Sequence, residues 1–234
     1  MKPVVIFLRV AAAGIGLAVR AWRARERRRQ AFRAFALAHG LEYAIDDPFG
    51  TIDIPFGLFR KGDGRGIENV VWGRWGDAPM RFFDHWYYEQ STDSKGHTSR
   101  TYYRQSCVLV EVAAQFPHLS ITREGFFSRL ADHLGFRDIE FESEGFNRAF
   151  QVGASERRFA FELIDARLMA WLLTLEWGMF EVLGSWALVY VKGRRAPAEF
   201  APVIELAEAF RDRIPRAAWS LYGAGNEGTK GEQA

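Results

Sequence analysis

The chain has almost no cysteine and lacks the residue spacings that mark a metal site or a common reaction centre. Its single cysteine, Cys107, excludes an internal disulfide framework. The histidines fall in different predicted elements, and no HExxH or CxxC-like spacing occurs. The glycines of residues 61–66 do not follow the pattern of a phosphate-binding loop, and Ser185 lacks the flanking glycines of a hydrolase nucleophile elbow. We therefore predict no metal and no cofactor, and assign no catalytic residue.

Acidic residues are nearly absent from the N-terminal end of the chain. The first 33 residues hold nine Lys or Arg and a single acid, Glu26, which gives this segment a net charge of +8. The remaining residues carry 22 basic and 28 acidic side chains, a net charge of −6. Because the basic charge is confined to one terminal cluster, the domain does not resemble a nucleic-acid-binding surface. We expect no nucleic-acid partner.

Residues 3–19 are apolar apart from Arg9, and arginines follow directly after them. Seventeen such residues are the lower limit for crossing the hydrocarbon core of a bilayer, and basic flanks stay on the cytoplasmic side. We predict an apolar anchor helix over residues 1–22 that crosses the membrane once, with the domain on the cytoplasmic side. The predicted membrane-contact residues are Val4, Val5, Ile6, Phe7, Leu8, Ile15, Leu17, Trp22, Arg20, Arg23 and Arg25.

Two other interpretations of this segment remain open. It could form an interfacial helix that the arginines hold on anionic lipid. It could instead be a basic helix packed on its own domain or on another subunit. A cleaved signal peptide is disfavoured, because the positive charge follows the apolar run rather than preceding it.

The rest of the chain predicts one α+β domain, with helices packed on an antiparallel sheet. Residues 23–40 predict a basic to amphipathic linker helix that docks on the domain and ends at Gly40. The domain spans residues 41–216, and the polar, glycine-rich residues 217–234 predict a disordered tail. A long aromatic hairpin is predicted by the β-favouring residues 69–75, 80–88 and 101–112 and by the polar tip between the last two stretches.

Three further segments have specific local predictions. Residues 139–152 alternate apolar and charged side chains on either side of Ser143, which predicts two strands joined at a sharp corner. Residues 177–191 predict two strands that meet in a tight turn at Gly184. Residues 122–134 predict a helix that ends at Gly135.

The pattern Glu-Ser-Glu-x-Phe-Asn-Arg-x-Phe-x-Val over residues 142–152 leads into a helical apolar stripe of Ala160, Leu163, Met169 and Leu172. This combination resembles an uncharacterised bacterial domain family of predicted membrane-anchored proteins. An upstream set fits the same family, so the resemblance covers residues 30–215; its members are Gly40, Tyr43, Gly57, Phe59 and Gly62. No activity, cofactor or catalytic residue is established for that family. The resemblance implies the fold and the anchoring and nothing about chemistry.

Aromatic residues crowd the predicted hairpin beyond what one core face can hold. Cross-strand pairing of the rings accounts for such a pattern. The alternative is an exposed surface that contacts a partner. The residues of that predicted partner surface are Trp86, Tyr87, Tyr88, Tyr102 and Tyr103.

These observations predict a non-catalytic, membrane-tethered interaction or ligand-binding domain, with membrane lipid as one partner and a protein as a second candidate. The alternative is an enzyme whose site is assembled from dispersed polar residues, for example Asp84 or His85 with Glu140. Neighbouring residues in a strand point to opposite faces, which disfavours joint catalysis by Asp84 and His85. Whether the chain is an enzyme stays open at this point.

Overall fold

One strand of 26 residues, β4 (Thr98–Arg123), organises the sheet. The computed structural model describes residues 2–123 and 136–223, with side chains from residue 14 onward except at residue 137. Its seven strands form one antiparallel sheet in which β7 lies along one edge of β4, while β3 and then β6 occupy the other edge. The remaining strands are β1 (Glu42–Asp46), β2 (Gly64–Trp75), β3 (Ala78–Thr92), β5 (Arg137–Asp138), β6 (Phe150–Ala154) and β7 (Met179–Lys192).

Helices from several parts of the described chain pack on the sheet. This arrangement confirms the predicted class, a single α+β domain with helices packed on an antiparallel sheet. Short 3₁₀ helices at Thr51–Asp53, Leu58–Arg60 and Pro197–Glu199 lie in the connections. The α-helices are α1 (Lys2–Ala38), α2 (Glu144–Ala149), α3 (Arg157–Leu163), α4 (Ala166–Thr174), α5 (Phe200–Arg211) and α6 (Arg216–Tyr222).

The sheet buries both of its faces, and different parts of the chain cover them. On the helix side, side chains of α1 and of α3 to α6 pack with inward-facing residues of the strands, such as Phe82 and Val108. On the opposite face, the loop side, the connection between β1 and β2 folds back and inserts Phe56 and Phe59 against Phe83 and Tyr190. Burial on both faces explains why the strands carry so many consecutive apolar residues.

The predicted aromatic hairpin is present. Strands β3 and β4 pair without a break in register from Met80 opposite Val110 to Thr92 opposite Thr98. Side chains alternate between the faces along such a ladder. Even-numbered residues from Phe82 to Tyr88 therefore point to the helix side, and their odd-numbered neighbours point to the loop side.

Helix α1 is continuous across residues 22 and 23, where the sequence predicted a division between an anchor and a linker. Its C-terminal end docks on the sheet: Phe32 is fully buried and its ring stacks on Phe82 at a centroid distance of 5.2 Å. The helix ends at Ala38, and Gly40 in the turn after it has a φ of 66°, which suits a residue without a side chain. Leu41 then donates its amide to the Ala36 carbonyl at 2.8 Å and closes the turn.

Two local predictions are wrong. Residues 144–149 form α2, because the Ser143 hydroxyl accepts a hydrogen bond from the Phe146 amide and caps a helix there. The predicted second strand is therefore present only from Phe150 onward, as β6. Residues 179–192 form the single strand β7 rather than two, because Gly184 adopts a φ of 58° and lets the strand bend at an irregularity in its pairing with β4.

Two predictions concern segments near the limits of the described residues. The predicted helix over residues 122–134 falls largely outside them, since residues 124–135 are not described. The predicted disordered tail begins at residue 217, but residues 216–222 form α6, and Ala218 is buried in the core. Residues 224–234 lie outside the described part of the chain.

Candidate functional site

The N-terminal half of α1 projects away from the domain. The helix has 37 residues, so it is about 55 Å long at roughly 1.5 Å per residue. Every residue from 14 to 25 is exposed, and the first half-buried arginine against the sheet is Arg28. Large apolar side chains lie in this exposed stretch, including Leu17 at 69% exposure and Trp22 at 62%. We refer to residues 14–27 as the projecting segment.

The projecting segment carries two stripes of different chemistry. Residues separated by three, four or seven positions share one face of a helix. Ile15, Val19 and Trp22 follow this spacing and form an apolar stripe. A basic stripe of Arg20, Arg23 and Arg27 runs beside it and borders a shallow recess of about 430 Å³.

In the described part of the chain, no acidic side chain neutralises the basic stripe. Within the described residues, no carboxylate forms an ion pair with Arg20, Arg23 or Arg27. The other arginines of this region behave differently, since Arg29 pairs with Glu26 at 3.8 Å and Arg28 pairs with the sheet. The basic stripe is therefore available to an anionic partner.

Arg28 fixes α1 to the sheet through a buried carboxylate. Its Nε and Nη2 donate to the two carboxylate oxygens of Asp84 at 2.5 and 2.6 Å, and its Nη1 donates to the Arg195 carbonyl at 2.8 Å. Asp84 is fully buried, while the Arg28 side chain is 14% exposed. A bidentate pair between a guanidinium and a carboxylate has a fixed geometry. The direction in which the projecting segment leaves the domain is therefore set by this pair.

Further polar groups surround Asp84. Asn69 donates to it at 3.1 Å, Ser106 at 3.5 Å, and the Arg194 Nε lies 3.7 Å away. Burial raises the pKa of Asp84, and the hydrogen bonds and charge of Arg28 together with the hydrogen bonds of Asn69 and Ser106 oppose that increase. Burial, followed by the charges of Arg28 and Arg25, lowers the pKa of Arg194 to about 10. Positive charge is thus concentrated where α1 leaves the sheet.

The predicted membrane-contact residues divide into two groups. The side chains of Val4, Val5, Ile6, Phe7 and Leu8 lie outside the described residues. The other six are exposed on the projecting segment, and they are Ile15, Leu17, Trp22, Arg20, Arg23 and Arg25. Their exposure does not test the predicted contact with lipid.

The predicted membrane location requires a correction. In the described part of the chain, no helix combines the length and the apolar character that a membrane span requires. The single-pass location with the domain on the cytoplasmic side is therefore contradicted.

The predicted aromatic surface is split between the two faces of the hairpin. Tyr87 is 3% exposed and stacks on Tyr103 on the loop side, at a centroid distance of 4.9 Å. Trp86, Tyr88 and Tyr102 form a separate group on the helix side, with centroids 5.4 to 6.4 Å apart. The sequence predicted one surface of five rings, but three of them lie on the helix side and the other two lie on the loop side.

The rings on the helix side lie flat over β2 because glycines oppose them. A Cβ atom at Gly64 would come within 2.4 Å of the Tyr88 ring, and one at Gly66 within 2.9 Å of the Trp86 ring. Cation–π contacts complete the group, since Arg100 lies 4.6 Å from the Tyr88 ring centroid and Arg104 lies 5.3 Å from that of Tyr102. We call Trp86, Tyr88, Arg100, Tyr102 and Arg104 the hairpin face.

The structure does not assemble the enzyme site suggested by Asp84, His85 and Glu140. Asp84 faces α1, whereas His85 points to the loop side, where its Nδ1 lies 3.0 Å from the Gln105 Oε1. Burial lowers the pKa of His85 to about 4, so this imidazole is neutral at physiological pH. Glu140 is exposed, after β5. Among the described residues, no group of three or more His, Cys, Asp or Glu is arranged to hold a metal ion.

Cys107 is fully buried in β4, and burial raises the pKa of its thiol well above the usual range. A buried thiol that stays protonated is a poor nucleophile.

Sequence reasoning missed two residues that join distant parts of the chain, Arg28 where the projecting segment begins and Glu181 on the loop side of the sheet. Arg28 stands in a run of three consecutive arginines, and nothing in that run distinguishes it from its neighbours. Glu181 left a clearer signal, since it is the one acid within the apolar residues 179–183. Its carboxylate accepts hydrogen bonds from the amides of Gly57 and Leu58 at 2.7 and 3.0 Å, and His118 Nε2 lies 3.1 Å away.

No protein-family model matches the chain, and no curated protein sequence matches it either. The resemblance to an uncharacterised bacterial family therefore stays a prediction. In fold, the chain is similar to the crystal structure of the mycobacterial trehalose monomycolate transport factor A, TtfA, with a TM-score of 0.56. The likeness covers 80% of this chain and 96% of that chain at 12% sequence identity. At that identity it shows a shared α+β fold alone.

Proposed function

We propose that this protein is a non-catalytic domain that binds the surface of anionic lipid membranes through the projecting segment of α1. The observation that carries the proposal is the pair of stripes, three apolar side chains beside three arginines that no carboxylate of the described residues neutralises. A helix of this composition lies in the plane of the interface, with its apolar side chains among the acyl chains and its basic side chains at the headgroups.

The energetics favour binding at the surface. Each arginine close to an anionic leaflet contributes about 1 kcal/mol, and each buried methylene of an apolar side chain contributes about 0.8 kcal/mol. Three arginines, two aliphatic side chains and one tryptophan together favour a reversible association, from which the lost translational and rotational freedom of the bound protein is subtracted. Trp22 in particular suits the boundary between headgroups and hydrocarbon, because its ring is apolar and its N–H is a donor.

The docking of α1 supports the same proposal. Because Arg28 and Asp84 fix the helix to the sheet, the projecting segment is presented in one direction and is not a loose tail. The structurally similar protein is named as a trehalose monomycolate transport factor. A role at a lipid surface is consistent with that likeness, although the likeness itself supports only the fold. A protein partner remains a prediction without a specific contact in its favour.

The test is co-sedimentation of the full chain with vesicles of phosphatidylcholine alone and with vesicles containing phosphatidylglycerol. We expect binding to the anionic vesicles, and we expect the variant Arg20→Ser/Arg23→Ser/Arg27→Ser to bind at least tenfold more weakly.

The matched control removes the same charge elsewhere. Arg157→Ser/Arg158→Ser/Arg167→Ser deletes three exposed arginines from α3 and α4. We expect this variant to bind like the unmodified chain. Equal binding by the Arg20/Arg23/Arg27 variant and the unmodified chain would overturn the proposal.

A further inference from the structure

The hairpin face and the projecting segment of α1 lie on the same side of the sheet. Asp84, which receives Arg28 of α1, is followed on its own face by Trp86 and Tyr88, because strand residues two apart share a face. The partners of Trp86 and Tyr88 in β4 are Arg104 and Tyr102. The aromatic side chains of the hairpin face and helix α1 therefore lie on the same side of the sheet.

The hairpin face and the projecting segment also lie at the same end of the domain. Arg28 donates to the Arg195 carbonyl, and two residues earlier Gly193 donates its amide to the Arg104 carbonyl at 2.8 Å. Arg104 is opposite Trp86. The end of the projecting segment that adjoins Arg28 thus lies close to the Trp86–Arg104 pair. From there β3 continues to Thr92, a further 20 Å or so at about 3.4 Å per residue.

The chemistry of the hairpin face matches that of a headgroup layer. Tryptophan and tyrosine are enriched at the membrane–water boundary, and guanidinium groups bind phosphate through paired hydrogen bonds. Tyr102 is 46% exposed. Within the described residues, neither Arg100 nor Arg104 forms an ion pair with a carboxylate. Arg100 donates its Nε to the Gln90 Oε1 at 3.2 Å. Its other guanidinium N–H groups and those of Arg104 can therefore bind phosphate.

We propose that the hairpin face is a second lipid contact, in which Arg100 and Arg104 bind the phosphates of anionic headgroups while Trp86, Tyr88 and Tyr102 rest at the boundary. This inference rests on the proposed function, because it makes the helix and the hairpin two parts of one membrane-facing surface. A bilayer fits better than a nucleic acid because the apolar stripe of the projecting segment, on the same side of the sheet, suits acyl chains, which a polynucleotide does not offer.

Charge removal tests the contact in the full chain. With vesicles containing phosphatidylglycerol, Arg100→Ser/Arg104→Ser is expected to bind about twentyfold more weakly, since each basic residue near an anionic surface contributes roughly a factor of five. The control is Arg60→Ser/Arg65→Ser, which removes two exposed arginines from the loop side. We expect the control to retain binding.

A dye attached to the hairpin tests its orientation. Cys107 is fully buried, so a new exposed thiol can be labelled selectively. Thr92 belongs to the helix side and Thr101 to the loop side, and both are exposed. We expect an environment-sensitive dye on Thr92→Cys to shift to the blue on anionic vesicles, and the same dye on Thr101→Cys to shift much less.

The outcomes separate this inference from the proposed function. Weak binding by the Arg20/Arg23/Arg27 variant, with normal binding by Arg100→Ser/Arg104→Ser and equal dye shifts at both positions, overturns the hairpin contact and leaves the helix contact in place. The reverse pattern overturns the helix contact and supports the hairpin. Weaker binding to a single-stranded oligonucleotide by Arg100→Ser/Arg104→Ser, with unchanged binding to vesicles, would assign the face to nucleic acid and overturn the inference.

Discussion

At the scale of single residues, Asp84 shows how one buried charge can determine the placement of a whole helix. A carboxylate with no exposure is costly to bury unless it is paired and hydrogen-bonded. Arg28 supplies two of its hydrogen bonds, and α1 can dock only in the position that brings Arg28 to it.

We predict that Arg28→Met lowers the free energy of unfolding by about 3 kcal/mol, because it leaves a buried carboxylate without its main partner. The double variant Arg28→Met/Asp84→Asn should lose less free energy of unfolding than the two single variants lose in total. Denaturant unfolding of all three, with Arg29→Met as control, measures the coupling. Arg29 and Glu26 are partly exposed and 3.8 Å apart, so this control should lose less than about 0.5 kcal/mol. Additive losses at Arg28 and Asp84 would contradict the coupling.

His85 gives the folded state a defined dependence on pH. The pKa of His85 is lowered to about 4. Burial is the main cause, the hydrogen bond to Gln105 opposes it, and the charges of Arg65 and Lys61 act in the same direction as burial. An unfolded histidine has a pKa of about 6.5. Between these values the unfolded chain binds a proton that the folded chain does not, so the stability present above pH 6.5 is lost as the pH falls.

We predict that this residue lowers the free energy of unfolding by about 1.4 kcal/mol for each pH unit between about 6.5 and about 4. His85→Gln should flatten the dependence between pH 6.5 and 5, because glutamine does not titrate there. Urea unfolding at several pH values measures both slopes. His97→Gln is the control, since His97 is exposed on the hairpin tip. Equal slopes for the unmodified chain and His85→Gln would rule out this origin of the dependence.

At the scale of elements, the connection between β1 and β2 depends on one side chain of a distant strand. Glu181 of β7 accepts the amides of Gly57 and Leu58, which stand at the start of a 3₁₀ helix where backbone donors lack partners. The connection covers the loop side of the sheet, so losing these bonds exposes the apolar residues beneath it.

We predict that Glu181→Gln lowers the free energy of unfolding by about 1–3 kcal/mol, because the amide side chain has one acceptor oxygen for two backbone donors. Amide hydrogen exchange should accelerate at Gly57 and Leu58 more than at the centre of β4. The control is Glu140→Gln, at an exposed position. Unchanged protection at both amides would show that Glu181 does not hold the connection.

Helices and strands could be predicted from the sequence where a pattern of neighbouring residues favoured only one type of structure. The hairpin of β3 and β4 was predicted because β-favouring residues flank a polar tip, and that pattern needs no distant contact. Helix α2 was missed because Phe146 and Phe150 fit strand spacing as well as helix spacing. The Ser143 cap decided in favour of the helix. Strand β7 was divided in two because glycine followed by serine resembles a turn, whereas long pairing with β4 keeps it continuous.

The candidate site was predictable only in part for a related reason. Composition identified the exposed arginines and the apolar residues of the projecting segment, since both are properties of residues close in sequence. It could not identify Arg28 as the arginine that binds the sheet, because Asp84 is 56 positions away. The same limit applies to the aromatic rings, whose division between two faces depends on the register of β3 and β4.

At the scale of the whole molecule, charge is separated along the chain. The first 33 residues carry a net charge of +8 and the remainder −6. An anionic surface attracts the first part and repels the second. The separation therefore favours an orientation in which the projecting segment faces the membrane and most of the domain faces away from it.

This charge separation predicts that binding to anionic vesicles depends on salt, and that the apolar stripe sets how much salt is needed to release the protein. Added salt shortens the Debye length from about 8 Å at 0.15 M to about 3 Å at 1 M, so binding to anionic vesicles should weaken steadily as KCl is added.

The variant Ile15→Ser/Val19→Ser/Trp22→Ser removes the apolar stripe and keeps the arginines. It should therefore bind at low salt and lose binding at a lower KCl concentration than the unmodified chain. Co-sedimentation across a KCl series measures both, with Phe161→Ser/Leu173→Ser as a control for the loss of exposed apolar side chains elsewhere. Binding that does not change with salt would show that the arginines of the projecting segment do not carry the attraction.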